Sequence, residues 1–548
     1  MNLTRRFFAP AFLPLFFTAA AVAADSPAPH IDRNGAAAQL IADGAPFLML
    51  GGELHNSSST GPEYMARVWP KMQALGLNTV LASVPWELVE PSEGNFDFTL
   101  VDDLLRGARE HQMRLVLLWF GSWKNGVSSY APAWVKTDLA KYRRCQGSSN
   151  HNTKDILSPF CTANRDADAR AFAALMRHLK KEDGRKHTVL MVQVENEVGI
   201  RPEPRDLSED GEAAFRAQVP DELMKALAAA RDRLVPEFRA RWEKSGFRSA
   251  GNWSEVFGGD ESAAEIFMAW HYASYIGAVA RAGKAEYPLP MYVNAWLRGP
   301  DGKAGIYPSG GPVSHVLDVW RTAAPGIDLF APDIYLPDFK AVCADYTQGG
   351  NPLFIPEAST DDGAIGRAFW AFGAHGALGF SPFGIEHLRD DHPLRDGYAI
   401  LRQLVPMIAA ARGTGRMTAV YRQNPSEEKP VDPVIVGDYR ANVRFLTRDL
   451  PGDAPRYGLM IQTATNEIIV AGSGIEVNFS ATTPGPRQTH ILRIDQGRFE
   501  SGKWIRELSL NGDETGANFV AKIPPNASNS FSEPRHPVIL KVTLYRHD

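Results

Sequence analysis

The sequence predicts a (β/α)8 TIM barrel over residues 30–415, followed by an all-β sandwich over residues 416–548. Three observations lead there. Short apolar runs alternate with amphipathic helical stretches eight times before about residue 415, the rhythm of parallel strands buried on both faces and linked by helices. The competing open doubly wound sheet would carry a glycine-rich phosphate turn after its first strand, and the sequence has none. Beyond Gly415 helical periodicity stops, and strand-like segments separated by Gly, Pro, Asn and Asp take over.

The chain has 548 residues, more than one compact core holds. Arg5 and Arg6 precede an apolar run over residues 7–23 that ends in Ala21-Val22-Ala23. This is the layout of an export signal, with cleavage expected near Ala23 or Ala24 and residues 1–24 removed. Pro10 and Pro14 interrupt the run, which argues against a membrane anchor. Thr4-Arg5-Arg6-Phe7-Phe8 also resembles a short twin-arginine signal, so the export route stays open. The expected location is periplasmic or extracellular.

The eight apolar runs cover residues 47–55, 79–86, 114–121, 188–198, 290–296, 327–335, 352–358 and 377–385. Helical patterns lie between them at 63–75, 100–111, 166–181, 263–285, 314–323, 363–374 and 394–411. Two connections are long. Residues 122–162 are rich in aromatic and polar side chains, and residues 200–260 contain a helical pattern of their own over 212–244. Loops that follow barrel strands sit on the active-site face, so the second insertion is a wall or lid, or a stability feature. In the C-terminal region 458–462, 467–471, 474–479 and 536–545 read as strands, whose first expected role is support of the barrel.

The net charge is only −5 and no basic stripe tracks a phosphate backbone, so nucleic acid is not an expected partner. After signal cleavage no membrane contact is expected. No Cys/His cluster has metal-ligand spacing, so neither a metal nor a cofactor is expected. In an exported protein Cys145 and Cys161 could close a short disulfide loop, while Cys343 sits in a helical pattern as a buried thiol.

Two carboxylates carry the chemistry. Gln193-Val194-Glu195-Asn196-Glu197-Val198-Gly199 ends the fourth strand. Strand alternation puts Glu195 and Glu197 on one face, but Asn196 and Glu197 lie where the strand gives way to a loop and both can reach the pocket. A carboxylic acid held partly dry at a barrel mouth keeps a raised pKa and can protonate a leaving oxygen. Leu353-Phe354-Ile355-Pro356-Glu357-Ala358 ends the seventh strand with a lone carboxylate after an apolar run. Carboxylates are rarely buried there without a partner or a purpose.

An Asn-Glu ending strand four with a Glu ending strand seven resembles the clan of retaining glycosidases on TIM barrels. Three stretches resemble family 35 of that clan, the β-galactosidases: Gly51-Gly52-Glu53-Leu54-His55; Val84-Pro85-Trp86-Glu87-Leu88-Val89-Glu90-Pro91 with Glu93-Gly94-Asn95-Phe96-Asp97-Phe98; and residues 193–199. The resemblance implies Glu197 as acid/base, Glu357 as nucleophile, Asn196 on the sugar 2-hydroxyl and Tyr335 on the nucleophile. Trp86, Trp123 and Trp296 would offer faces to a pyranose, and His55 and Glu87 would line the sugar site. The sequence departs from the family at Asn56, where an aromatic residue is usual, and at Ser122, where a glutamate is usual. Those departures bear on the sugar, with Glu87 or Lys124 available to replace the lost contacts. The reading is a retaining exo-β-galactosidase acting on oligosaccharides; the alternatives are a clan relative with another sugar specificity or an inactive carbohydrate-binding barrel.

Overall fold

The computed structural model describes residues 27–34, 37–148, 153, 155–300, 302–422, 431–446, 455–510, 514–515, 520–523 and 537–548. The expected signal segment, residues 1–24, lies outside them.

Each expected barrel strand forms: Met49–Glu53, Thr79–Pro85, Arg114–Lys124, Val189–Asn196, Met291–Trp296, Leu329–Ile334, Glu357–Ala358 and Gly379–Phe380. All neighbouring pairs are parallel and follow chain order around the barrel. Strands seven and eight are two residues each, shorter than their apolar runs, because Pro352, Pro356 and Pro382 have no N–H to offer a ladder. Closure is still achieved. Leu378 N donates to Leu353 O at 2.7 Å, Ile355 N to Gly379 O at 3.2 Å and Ser381 N to Ile355 O at 3.0 Å.

Strand one meets strand eight at a close approach. A Cβ on Gly51 would lie 2.3 Å from Ser381 Oγ, so only glycine lets these backbones approach. Across this seam the Tyr398 hydroxyl, on helix Pro393–Ala411, lies 2.9 Å from both Gly51 O and Phe380 O. The lower end is plugged by an antiparallel sheet of His30–Asn34, Ala37–Ala42 and Ala45–Phe47, whose Leu40 and Ala42 pack with Met49, Leu190, Leu329 and Leu378. The upper end carries the loops.

The long pattern over 212–244 is three helices rather than one: Glu209–Arg216, Asp221–Ala230 and Pro236–Lys244. Pro220 and Pro236 break it, since neither can sit in a helix interior. Cys145 and Cys161 are free thiols, not a disulfide. Each is turned toward a different carbonyl, Cys145 Sγ toward Leu157 O and Cys161 Sγ toward Lys141 O. Cys343 is buried, as its helical setting predicts.

Beyond the barrel a six-stranded sheet packs on a four-stranded one. The strands Tyr439–Phe445, Gln488–Glu500 and Lys503–Leu510 escaped the sequence reading because polar residues alternate or dominate along them. One face of the larger sheet (Met460, Ile468, Val470, Leu540) meets Val443, Val477 and Ala521 of the smaller. Its other face (Leu459, Ile461, Ile469, Ile539) joins the barrel core, and Tyr457 packs 4.5 Å from Phe369 of helix Ala364–His375. Both faces being buried explains why strand Tyr457–Ala464 reads as a continuous apolar run.

Tyr398→Phe removes the hydroxyl at the barrel seam and leaves two carbonyls in an apolar setting. It should cost about 1–3 kcal/mol, read as a lower denaturation midpoint. An unchanged midpoint would show that the seam closes without this contact.

Candidate active site

The site begins with a distortion. At the end of strand four Glu195 has φ 64° and Glu197 has φ 44°. Both are left-handed values that a non-glycine residue holds at a cost of about 1–3 kcal/mol each. They undo the alternation expected of a strand, and so correct the expectation that Glu195 and Glu197 share a face. Glu195 turns outward, where its carboxylate accepts from Trp123 N at 2.7 Å. Burial, then the nearby Asp168 carboxylate, holds the Glu195 carboxyl well above its usual range. Asn196 and Glu197 turn to the barrel mouth. Glu197 N donates to Asn294 Oδ1 at 3.0 Å, and Asn294 Nδ2 donates to Asp333 Oδ2 at 2.7 Å. Strand five therefore fixes the residue that strand four presents.

Glu357 comes from strand seven. Tyr335 Oη donates to its Oε2 at 2.9 Å, and Asn196 Nδ2 approaches its Oε1 at 3.4 Å. Two donors aimed at one carboxylate suit an anionic group. The Tyr335 ring is half exposed at the mouth, so this contact sits where a ligand would enter.

Oxygens of Glu197, Asp333 and Glu357 lie within 4.8 Å of one another. Burial, then the Glu357 charge, pushes the Glu197 carboxyl up to about 7. Asp333, fully buried beside Glu357 and Glu197, is pushed well above its usual range. Glu53, at the end of strand one, is likewise raised by burial and then by Glu357. The cluster can thus hold protons and a negative charge side by side at neutral pH. Three oxygens this close also have the spacing of metal ligands, but both Glu357 oxygens already face protein donors.

Of the other residues singled out from sequence, the structure gathers some and withdraws others. Trp296 is partly exposed at the end of strand five, with the Arg201 guanidinium 4.5 Å over its ring. His55 is exposed at the mouth, its ring 4.7 Å from Phe383 and 4.9 Å from His387. Trp86 and Trp123 are fully buried and offer no face to a sugar. Trp86 Nε1 donates to Glu90 Oε2 at 2.8 Å and its ring packs on Trp134; Trp123 Nε1 donates to Leu157 O at 3.1 Å between Tyr272 and Tyr275. Both correct the expectation of platforms: a tryptophan at a strand end whose N–H finds a partner in the loop layer is core. Glu87 is partly exposed and pairs with Lys136 at 3.0 Å. Ser122, where the family pattern has glutamate, turns outward to Asp168 at 2.6 Å.

The sequence reading did not single out Glu53, Asn294, Asp333 or Glu386 as site residues. Glu53 carried the same signal as Glu357, a carboxylate ending a buried run, and Asn294 was the one polar residue inside its apolar strand. Glu386 Oε1 accepts from His55 N at 3.1 Å and from Ser58 Oγ at 2.5 Å. Its strand-eight loop gave no periodic signal at all.

A parallel eight-stranded barrel with paired carboxylates at the ends of strands four and seven is the architecture of the clan that the sequence resembles. The resemblance to family 35 is borne out over residues 39–236, which match the model for glycosyl hydrolases family 35. Residues 394–520 match a domain of unknown function (DUF5597). Among curated relatives, a β-galactosidase of Xanthomonas manihotis is 30% identical over 187 residues, 32% of this chain and 28% of that protein. β-Galactosidase 8 of Oryza sativa subsp. japonica is 38% identical over 100 residues, 17% of this chain and 15% of that protein. The chain thus matches under a third of the length of these relatives. Among solved structures, a β-galactosidase from Bacillus circulans sp. alkalophilus aligns with a TM-score of 0.45 and 15% identity, covering 67% of this chain and 58% of that one.

Because the Glu357 charge helps hold Glu197 protonated, Glu357→Gln should move the Glu197 titration downward, toward the ordinary 4.5. Carboxyl-selective infrared or carbon NMR titration of the variant reads this directly. A titration that stays near 7 would assign the whole shift to burial.

Proposed function

We propose that the chain is a retaining glycoside hydrolase that releases terminal β-galactose from oligosaccharides. One observation carries the reading. Two buried carboxyl groups lie within 4.8 Å, one kept protonated up to about 7 and the other held by two donors. An oxygen-to-oxygen approach this short supports the close class, with carboxyl groups about 5–5.5 Å apart, that permits direct attack, over the class of about 6.5–9.5 Å that leaves room for a water.

The chemistry follows from the arrangement. Glu357 attacks the anomeric carbon while Glu197 gives its proton to the leaving oxygen. The glycosyl ester that forms removes the Glu357 charge, so the Glu197 carboxyl loses part of what raised it and, its proton given up, stays ionised as the general base. It then takes a proton from the water that hydrolyses the ester, and both groups return to their starting states. Tyr335 and Asn196 hold Glu357 for attack, and Asn294 holds the Glu197 backbone. The match to family 35 and the names of the relatives support galactose as the sugar. The leader-like N-terminus supports action outside the cytoplasm, and the packing of the six-stranded sheet on barrel helices supports a bracing role for the C-terminal sheets.

Five measurements test this. Glu357→Ala should lose several orders of magnitude in turnover, and added azide should restore activity as a glycosyl azide of inverted configuration. Proton NMR of the first product from a β-galactoside should show the β-anomer; an α-product refutes retention. Because Glu197 must carry a proton to act, kcat/KM should fall as pH rises through about 7. Glu197→Gln should abolish that limb, with poor leaving groups hurt far more than activated aryl ones. If kcat/KM for aryl β-glucosides matches that for aryl β-galactosides, the sugar is misassigned while the two-carboxylate mechanism stands.

A further inference from the structure

Strand three runs on past the point where the sequence suggested it ends, to Lys124, and there pairs with Asn196 of strand four. The Lys124 side chain is buried, 6% exposed, with its ammonium 5.2 Å from the centre of the Phe120 ring. Among the described residues its amine makes no hydrogen bond and no ion pair within contact distance. It is nevertheless close enough to Glu53 and Glu197 to act on both electrostatically. An ammonium on a buried stem, held by no protein acceptor at the mouth of a carboxylate cluster, has donors to offer a ligand that enters there.

The groups around it say what kind of ligand. Glu53, 1% exposed, has neither carboxyl oxygen partnered, and Asn56 Oδ1 and Glu386 Oε2 are also buried without partners. Each of these oxygens can accept a hydrogen bond, a protonated Glu53 can also donate one, and Glu357 stands near them as a carboxylate, so an anionic group on the ligand would be repelled. Neutral oxygens that accept from the ammonium are what the site lacks. If C1 lies between Glu197 and Glu357, and C2 beside Asn196, the next ring carbons fall toward the strand-three neighbour of Asn196, which is Lys124.

Resting on the glycosidase reading above, we propose that Lys124 is the specificity-determining residue that donates to the C3 and C4 hydroxyls of the sugar. It thereby replaces contacts that Asn56 and Ser122 do not make. Ser122 is turned outward to Asp168, so its position contributes nothing to the ring. An ammonium donating to a pair of vicinal hydroxyl oxygens senses the configuration at C4, the centre at which galactosides and glucosides differ.

The test compares wild type with Lys124→Met on a dinitrophenyl β-galactoside and on its 3-deoxy and 4-deoxy analogues. Losing a charge-assisted hydrogen bond should lower kcat/KM on the parent sugar by about 10- to 100-fold. At least one deoxy analogue, which lacks the acceptor, should be hydrolysed nearly as well by the variant as by wild type. Lys124→Ala should regain activity on the parent sugar with added propylammonium. Calorimetric binding of galactose and 4-deoxygalactose to the same proteins reads the contact without turnover. Equal losses on parent and both deoxy sugars, or no loss on the parent, would overturn the proposal, as would a wild type that prefers the galacturonide. A wild type that prefers the glucoside overturns the galactose reading instead, and the same comparison on deoxyglucosides then decides the role of Lys124.

Discussion

Glu197 and Glu357 share a buried mouth, with oxygens within 4.8 Å, and at that distance two full charges repel by roughly 3 kcal/mol at an effective dielectric of about 20. Removing both from water adds to the cost of charging either. The repulsion is relieved by leaving a proton on one of them, and the surrounding contacts determine which. Tyr335 and Asn196 direct their donors at Glu357, while burial and the Glu357 charge outweigh the Asp333 hydrogen bond at Glu197, which keeps its proton up to about 7. An acid and a nucleophile thus arise from two residues of the same type, distinguished by their surroundings.

Holding them there requires backbone that the chain would not adopt unaided. Glu195 and Glu197 both have positive φ, and the turn sends one carboxylate behind the barrel and the other into it. The fixed points lie on other strands: Asn294 on strand five takes the Glu197 N–H, and Trp123 N, on strand three, binds the Glu195 carboxylate. The outer cluster of Glu195, Asp168, Ser122 and Tyr275 is therefore part of the machinery at one remove, since it fixes the turn that presents Glu197. The barrel makes this possible because adjacent parallel strands end at one rim, bringing residues distant in the chain within hydrogen-bond reach.

The rest of the fold keeps the rim in place. Strands seven and eight are short and interrupted by proline, so three backbone bonds join them to each other, while strand eight is held to strand one by its ladder, a close glycine approach and the Tyr398 hydroxyl. Helix Pro393–Ala411, which supplies Tyr398, packs with the six-stranded sheet on its outer side through Leu404 and Leu459 in one core. The helix that ties the shortest barrel strands is thus one that the C-terminal sheets brace.

The sequence alone determined the architecture and the two carboxylates. Periodicity places all eight barrel strands, because a strand buried on both faces must be apolar along its length whatever its neighbours are. Glu197 and Glu357 were legible for the complementary reason: a carboxylate ending such a run has no cheap structural explanation. Glu53 and Asp333 carry similar local signals but are not legible as site residues, since nothing local shows that four strand ends converge. What only the tertiary structure decided is direction. Trp86 and Trp123 stand at strand ends like Trp296, yet their indoles found partners in the loop layer and joined the core. Glu195 and Glu197 sit two apart and face opposite ways because the backbone turns through left-handed φ between them. Lys124 and Ser122 are likewise two apart, one facing the carboxylates and the other Asp168. Where a side chain points at the end of a strand depends on the donors and acceptors that other strands bring to it, and those arrive only when the barrel closes.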